Sequence, residues 1–489
     1  MGREYGLYIN GKWVTPKRPT FVSENPATGE TLATFPKAKK EEVDLAVAAA
    51  KKALPGWKAT PGPKRGEILY EVARILRRRK EELGRIVTTE MGKIIAEGRG
   101  DVQESIDFIE YIAGEGRRST GETTTSELRQ KFCMWIRQPK GVVACITPWN
   151  FPTAIPMWKI GAAVVTGNTV VFKPASFTPL CGARLVEIYE EAGLPPGVLN
   201  FVTGSGGEVG DPLVQHPDVA HVSFTGGAIA GKDVYVRAAT RLASCELELG
   251  GKNPIIVMDD ADLGLVMEGA LFGAFGTAGQ RCTAASRLIV HEKVFDSLVP
   301  ELVEKARKLK VGNPIDPKTD MGPVVSADQK RTVLDYVAIG RKEAKLLCGG
   351  GALGKGEHAK GHFVEPTIFE AKHGTRISKE EIFGPVLTIV KIKDFEEAVH
   401  VANDIDYGLS SSIYTRDVNL AFRAIEELET GITYVNAPTI GAEVQLPFGG
   451  VKNTGNGGRE AGSVAIEEFT EIKSVFIDYS QRLQKAQIE

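Results

Sequence analysis

The feature that most constrains the fold begins at Gly141. Short apolar runs at 142–147, 169–173, 198–202 and 219–224 alternate there with segments of helical periodicity. Strands that are apolar on both faces and separated by crossover-length segments build parallel sheets covered by helices on each side. A second series follows Gly250, with strands at 253–258, 286–290, 387–391 and 432–435 and helices such as 294–309 and 420–428 between them. The pattern predicts an α/β protein of two doubly wound, Rossmann-like domains, joined near Glu248-Leu249-Gly250-Gly251. A chain of 489 residues is long enough to divide its core in this way.

The first 140 residues differ. Tyr8 to Val14 reads as a hairpin, with Asn10-Gly11 supplying the two positive φ angles of a type I′ turn. Helical patterns follow at 41–54, 64–87 and 101–114, the second carrying the basic run 77–80 on a solvated face. Residues 119–140 read as an antiparallel hairpin that ends in the apolar stretch Phe132-Cys133-Met134-Trp135-Ile136. The C-terminal strand 474–479 has a similar character, and both are candidates for pairing with another subunit.

Composition removes several classes of function. A formal net charge of −2 gives no reason to expect nucleic acid or an acidic membrane surface as partner. No apolar run approaches the roughly 18 residues of a membrane span, and the first residues have no apolar secretion core, so a cytoplasmic protein is expected. Six scattered cysteines without a CxxC pair point to reduced thiols, and seven scattered histidines without HExxH give no expectation of a metal.

Eight stretches carry residues that packing does not demand. Cys282 stands in Gly276-Thr277-Ala278-Gly279-Gln280-Arg281-Cys282, a glycine-broken turn where a thiol can sit at a cleft mouth and become a thiolate. Asn150, between Pro148 and Pro152, is a fixed amide at a strand's carboxyl end, suited to an oxyanion. Lys173 also ends a strand, where open α/β sheets bind ligands. Two glycine turns, at Gly204–Gly207 and at Phe224-Thr225-Gly226-Gly227, let a pyrophosphate approach backbone N–H groups. Glu248 in Leu-Glu-Leu-Gly-Gly-Lys is a carboxylate in an apolar setting, either ion-paired or a general base. Glu380-Glu381-Ile382-Phe383-Gly384-Pro385 and Leu446-Pro447-Phe448-Gly449-Gly450 are further turns. Taken singly, each has a plainer reading: an inert buried thiol, a helix-capping amide, a surface lysine.

Taken together, in this order and at these spacings, the motifs resemble the NAD(P)-dependent aldehyde dehydrogenase superfamily over nearly the whole chain. The resemblance implies residues 1–118 and 141–250 as a dinucleotide-binding domain, 251–452 as a catalytic domain, and 119–140 with 467–489 as oligomerisation strands of a homodimer or homotetramer. It implies Cys282 as nucleophile toward a small-molecule aldehyde, Asn150 with the Cys282 N–H as oxyanion hole, and Glu248 as the base that activates water. For the cofactor it implies Thr147, Pro148, Trp149, Lys173, Ser176, Gly206, Gly207, Phe224, Thr225, Gly226, Gly227, Leu249, Glu381 and Phe383. Trp149 lies toward the adenine–ribose side in relatives and Phe383 at the nicotinamide end. The substrate pocket is expected to include Phe151, Ile155, Trp158, Arg281, Thr283, Gln445 and Phe448.

Three departures refine this. Gly227-Ala228 replace two hydroxyl residues common in the family, leaving a pyrophosphate to backbone amides. Ser176 stands where NAD-preferring members often have glutamate, so NADP is expected to be accepted at least as well as NAD. Arg281 before the nucleophile and the slightly longer Asn453–Glu460 segment resemble the semialdehyde branch, especially the 2,5-dioxovalerate dehydrogenases. A broad-specificity aldehyde dehydrogenase and a catalytically silent relative are the alternatives; Cys282, Glu248 and Asn150, all present, speak against silence.

Overall fold

The computed structural model describes residues 3–118 and 121–488; Met1, Gly2, Glu489 and the first two positions of the expected 119–140 extension lie outside them. Two seven-stranded sheets dominate. The first runs Ser244–Glu248, Val219–Thr225, Val142–Ile146, Thr169–Lys173, Leu199–Phe201 and then the hairpin Leu7–Ile9 and Lys12–Val14. Its five long-connected strands are parallel, and the hairpin closes one edge antiparallel. Asn10 and Gly11 have φ of 52° and 75°, the geometry expected of their turn. Because Val142–Ile146 lies between strands that both follow it in the chain, connections leave it in opposite directions. A crevice therefore opens beyond the carboxyl ends of Val142–Ile146 and Val219–Thr225.

The second sheet runs Lys345–Cys348, Thr367–Glu370, Val386–Ile392, Ala285–His291, Asn253–Val257, Ser410–Tyr414 and Ile432–Val435, parallel except at its first edge. Ser410–Tyr414 is fully buried although it begins with three serines. Ser411 Oγ meets Thr430 Oγ1 at 2.7 Å, and Ser412 Oγ donates to the Ala437 carbonyl at 2.5 Å. Hydroxyls satisfied in this way can occupy a core strand, which a search for apolar runs passes over.

One expectation changes: the single helix expected at 64–87 is two, Gly62–Arg78 and Lys80–Met91, broken at Arg79. The basic run sits at that joint on the solvated side, as expected, with the exposed Arg77 and Arg78 ion-paired to Glu110 and Glu191, both at 2.6 Å. Within the chain the two segments read as candidates for a subunit contact form one sheet: Thr470–Asp478 lies antiparallel to Lys131–Pro139, with Glu122–Thr124 on the far side. The resulting sheet leaves Phe132, Ile472, Phe476 and Ile477 exposed.

Candidate active site

A cleft of about 440 Å³ fills the crevice of the first sheet. Residues 146–150, at the carboxyl end of Val142–Ile146, form one wall, and Phe224, Thr225, Gly226 and Gly227, at the carboxyl end of Val219–Thr225, form the other. Helix Ala228–Ala239 opens directly after Gly227 with no side-chain cap, so its first N–H groups are available to an anion. A Cβ on Gly206 or Gly227 would meet nothing within 4 Å, so packing does not require glycine there; a side chain would take up open space at the cleft. Lys173 is buried at the cleft with its Nζ on the Pro174 carbonyl at 3.1 Å, and burial draws its pKa down to about 8. Such a cation gains strongly from a bound anion. Glu381 lines the same cleft, accepts the Gly251 N–H at 2.9 Å, and is pushed up to about 7 by burial.

Some expected cofactor residues fall elsewhere. Ser176 does not line the cleft; its hydroxyl donates to the Gly204 carbonyl at 3.0 Å. Gly206 lines the cleft but Gly207 does not. Trp149 and Phe383 were expected toward opposite ends of a dinucleotide, yet their rings meet edge to face with centroids 5.3 Å apart. They therefore form one wall. Phe383 is held at a φ of 56°, a left-handed conformation that a bulky residue adopts only where its surroundings enforce it.

A smaller cavity of about 110 Å³ adjoins the cleft, and Cys282 lines both, together with Ile155, Thr225 and Leu249. The loop before Cys282 is wound tightly, with Thr277, Ala278 and Gly279 all at positive φ. Asn253, first residue of its strand, donates to the Cys282 and Ala284 carbonyls at 2.7 and 2.9 Å. The first sheet thus offers its carboxyl ends to the site, and the second offers its amino ends. Burial, then Glu248 and Glu381, push the pKa of the Cys282 thiol up.

Asn150 is 2% exposed, and its Oδ1 has no hydrogen-bond partner among the described residues. Glu248 lines the small cavity with both carboxylate oxygens buried and likewise unpartnered. Burial, then Glu460 and Glu246, raise its pKa well above the usual carboxylate range. Gly449, at φ 151°, passes so close that a Cβ would stand 2.5 Å from Glu248 Oε1, which accounts for the glycine directly after Phe448. Phe151, Ile155, Trp158, Arg281, Thr283 and Phe448 line the cavity as expected. Gln445 does not: it is exposed on a turn, its amide directed at Glu443. Arg281 is engaged, with Nη2 2.9 Å from Glu97 and Nε 2.9 Å from Thr277 Oγ1.

A chain with this fold and a thiol between two adjoining cavities has many similar chains among solved structures. The profile of the aldehyde dehydrogenase family matches residues 13–475. The chain belongs to that family. It is 41% identical to the alpha-ketoglutaric semialdehyde dehydrogenase of Bacillus subtilis, covering 97% of this chain and 98% of that one. It is 40% identical to the 2,5-dioxopentanoate dehydrogenase of Saccharolobus solfataricus, covering 95% and 98%. The solved structure of betaine aldehyde dehydrogenase from Staphylococcus aureus in complex with NAD+ superposes with a TM-score of 0.96 at 34% identity, covering 98% and 95%. The fold is that of an aldehyde dehydrogenase, and the enzyme is an oxidoreductase acting on small aldehydes with NAD(P).

Several residues of this aldehyde dehydrogenase's site carry no motif. Glu97 accepts both Arg281 Nη2 and the Thr277 N–H at 2.8 Å, tying the nucleophile loop to helix Ile95–Ala113. Lys159 joins Glu460 in a short ion pair and donates to Ser223 Oγ at 2.8 Å, which donates to Glu246 at 2.5 Å. This buried network lies behind Glu248. Asn456, in the segment longer than usual, pairs with the backbone of the strand that ends at Glu248, through the Leu247 N–H at 2.9 Å and the Cys245 carbonyl at 2.6 Å. No helix among the described residues is long and apolar enough to cross a membrane.

Proposed function

We propose that the enzyme oxidises a carboxylated semialdehyde of the 2,5-dioxopentanoate type to the corresponding acid, with Cys282, Asn150 and Glu248 as its chemical groups. The observation that carries the assignment of residues is that Cys282 lines both spaces, with Asn150 toward the larger and Glu248 toward the smaller. Cys282 Sγ attacks the aldehyde carbon, and the Asn150 Nδ2–H with the Cys282 N–H donates to the oxyanion of the thiohemiacetal. Bound in the larger cleft against Lys173, Glu381 and the Gly226-Gly227 turn, a nicotinamide dinucleotide supplies the hydride acceptor. The acyl group stays on Cys282 as a thioester until Glu248 takes a proton from water and hydroxide replaces the sulfur. Glu248 favours hydrolysis over transfer to coenzyme A.

The substrate class is supported by the relatives named for such semialdehydes and by Arg281 in the cavity wall. For the cofactor, Lys173 and the absence of a carboxylate at 176 favour NADP at least equally with NAD. The exposed apolar face of the small sheet supports a homodimer or homotetramer, and the cysteine usage a cytoplasmic enzyme. The test is a kcat/KM comparison of 2,5-dioxopentanoate, succinate semialdehyde and pentanal in wild type and Cys282→Ala. The semialdehydes should lead by roughly ten- to a hundredfold, as one charge-assisted contact provides, and the variant should be inactive. Equal values for all three would sink the substrate class.

A further inference from the structure

Helix Ile95–Ala113 presents Glu97, Asp101 and Glu104 at the spacing of one helix face. The first two are committed. Glu97 holds Arg281; Asp101 meets Lys93 Nζ at 3.1 Å and accepts the Thr153 hydroxyl and the Ala154 N–H at 2.7 and 2.8 Å. Glu104 has no hydrogen-bond partner among the described residues, and it lines the small cavity beside Arg281. Arg281 uses Nε and Nη2, leaving Nη1 without one. The cavity wall facing Cys282 therefore ends in one uncommitted guanidinium N–H edge and one uncommitted carboxyl.

We propose that Glu104 is a specificity-determining residue that binds the distal end of the substrate as a neutral acid, donating its O–H to the substrate's carboxylate or keto oxygen while Arg281 Nη1 donates beside it. This rests on the substrate class proposed above. An ionised Glu104 would repel that carboxylate, so the protonation state decides its role. Burial and then Asp101 raise its pKa, Lys93 and Arg281 oppose them, Asp107 adds to the rise, and the balance stands at about 8. Tyr434 faces it from strand Ile432–Val435, with its own pKa raised to about 12, so the phenol is neutral throughout. Across the cavity stand Cys282, Glu248 and Glu460. Glu104 is thus mostly neutral at pH 7 and ionises above pH 8. The groups across the cavity act on every aldehyde, so a neutral aldehyde of equal length cancels their titration.

The experiment compares KM and kcat/KM for 2,5-dioxopentanoate and pentanal from pH 6.5 to about 9.5 in wild type, Glu104→Gln and Glu104→Ala. In wild type the ratio of KM values should rise roughly tenfold above pH 8, as the dicarbonyl acid alone is repelled. Glu104→Gln keeps a neutral donor and should flatten that rise. Glu104→Ala should lower the kcat/KM preference roughly tenfold at pH 7, a change in discrimination that a merely structural role would not produce. A wild type without preference overturns the substrate class and this inference with it. A wild-type preference that survives Glu104→Ala, or a pH rise that survives Glu104→Gln, overturns the role of Glu104 alone.

Discussion

Asn253 Nδ2 donates to the Cys282 carbonyl at 2.7 Å, so the first residue of a core strand holds the backbone of the nucleophile. The same side chain takes the Ala284 carbonyl at 2.9 Å and accepts the Ser410 N–H at 3.0 Å, joining three strand entrances at one buried amide. Gly251 completes the fit: a Cβ there would stand 2.6 Å from the Cys282 carbonyl. Asn253→Ala leaves three buried backbone groups without partners, each worth about 1–3 kcal/mol. The expected result is a lower melting temperature and a kcat reduced at least about tenfold, with the cofactor KM little changed. Calorimetry and steady-state kinetics check it; a variant with wild-type kcat would show that the loop holds itself.

Glu248 is an acid in a pocket that disfavours its charge. Its raised pKa means that the folded protein holds a proton there at pH values where the unfolded chain has lost it, so stability from this group falls as pH rises from the ordinary carboxylate range. Catalysis runs the other way, because only the ionised form takes a proton from water. Hydrolysis of the Cys282 thioester should therefore accelerate from neutral to alkaline pH. Glu248→Gln should slow it roughly 10²–10⁴-fold and remove that dependence, leaving the burst of reduced cofactor intact. Rapid-quench measurement of acyl-enzyme decay reads both; a decay rate that ignores pH in wild type rules out Glu248 as the base.

The division between what the sequence reveals and what it conceals follows the range of the interactions. Cys282, Asn150, Lys173 and Glu381 are legible because a turn motif places each at a strand end or loop. Both sheets are legible where strands are apolar, and fail where they are not. Ser410–Tyr414 hides its burial behind serines, and Ser244–Glu248 carries two glutamates, of which Glu246 takes its partner Ser223 from the neighbouring strand. Glu97, Asn253 and Glu104 have no motif, since what matters is which loop they meet across the fold. Ser176 and Gln445 show the converse: a residue can stand at the right place in a motif and point its side chain at a neighbouring carbonyl or carboxylate.

The sheet of Thr470–Asp478, Lys131–Pro139 and Glu122–Thr124 carries Ile472 and Phe476 on one face, both exposed among the described residues. Contiguous exposed apolar side chains of this kind mark an interface. Phe476→Glu with Ile472→Glu should shift the protein toward monomer on light scattering, with far-UV circular dichroism unchanged because neither side chain packs in the core. An unaltered mass would place the subunit contact elsewhere.

The cofactor preference turns on charge at the far end of the cleft from Cys282. NADP adds one phosphate to the adenosine ribose. Lys173 offers a buried ammonium whose only hydrogen-bond partner among the described residues is the Pro174 carbonyl. Asp211 and Asp233 also line the cleft, and would repel a phosphate, but Arg237 lies 3.5 and 2.7 Å from them and offsets their charge. Ser176 adds neither attraction nor repulsion, its hydroxyl being spent on Gly204. A charge-assisted lysine–phosphate contact is worth about 1.5–3 kcal/mol, so NADP should bind at least as tightly as NAD. The sign of the pH dependence follows from the lowered pKa of Lys173: its charge is present below about pH 8 and fades above it, so the NADP advantage should shrink as pH rises through that value. Ser176→Glu should reverse the preference by placing a carboxylate near the phosphate and a hydrogen-bond acceptor near the ribose hydroxyls. Titration of both cofactors into wild type and Ser176→Glu at pH 7 and about pH 9 decides it; a wild type that binds NAD roughly tenfold tighter than NADP rules the preference out.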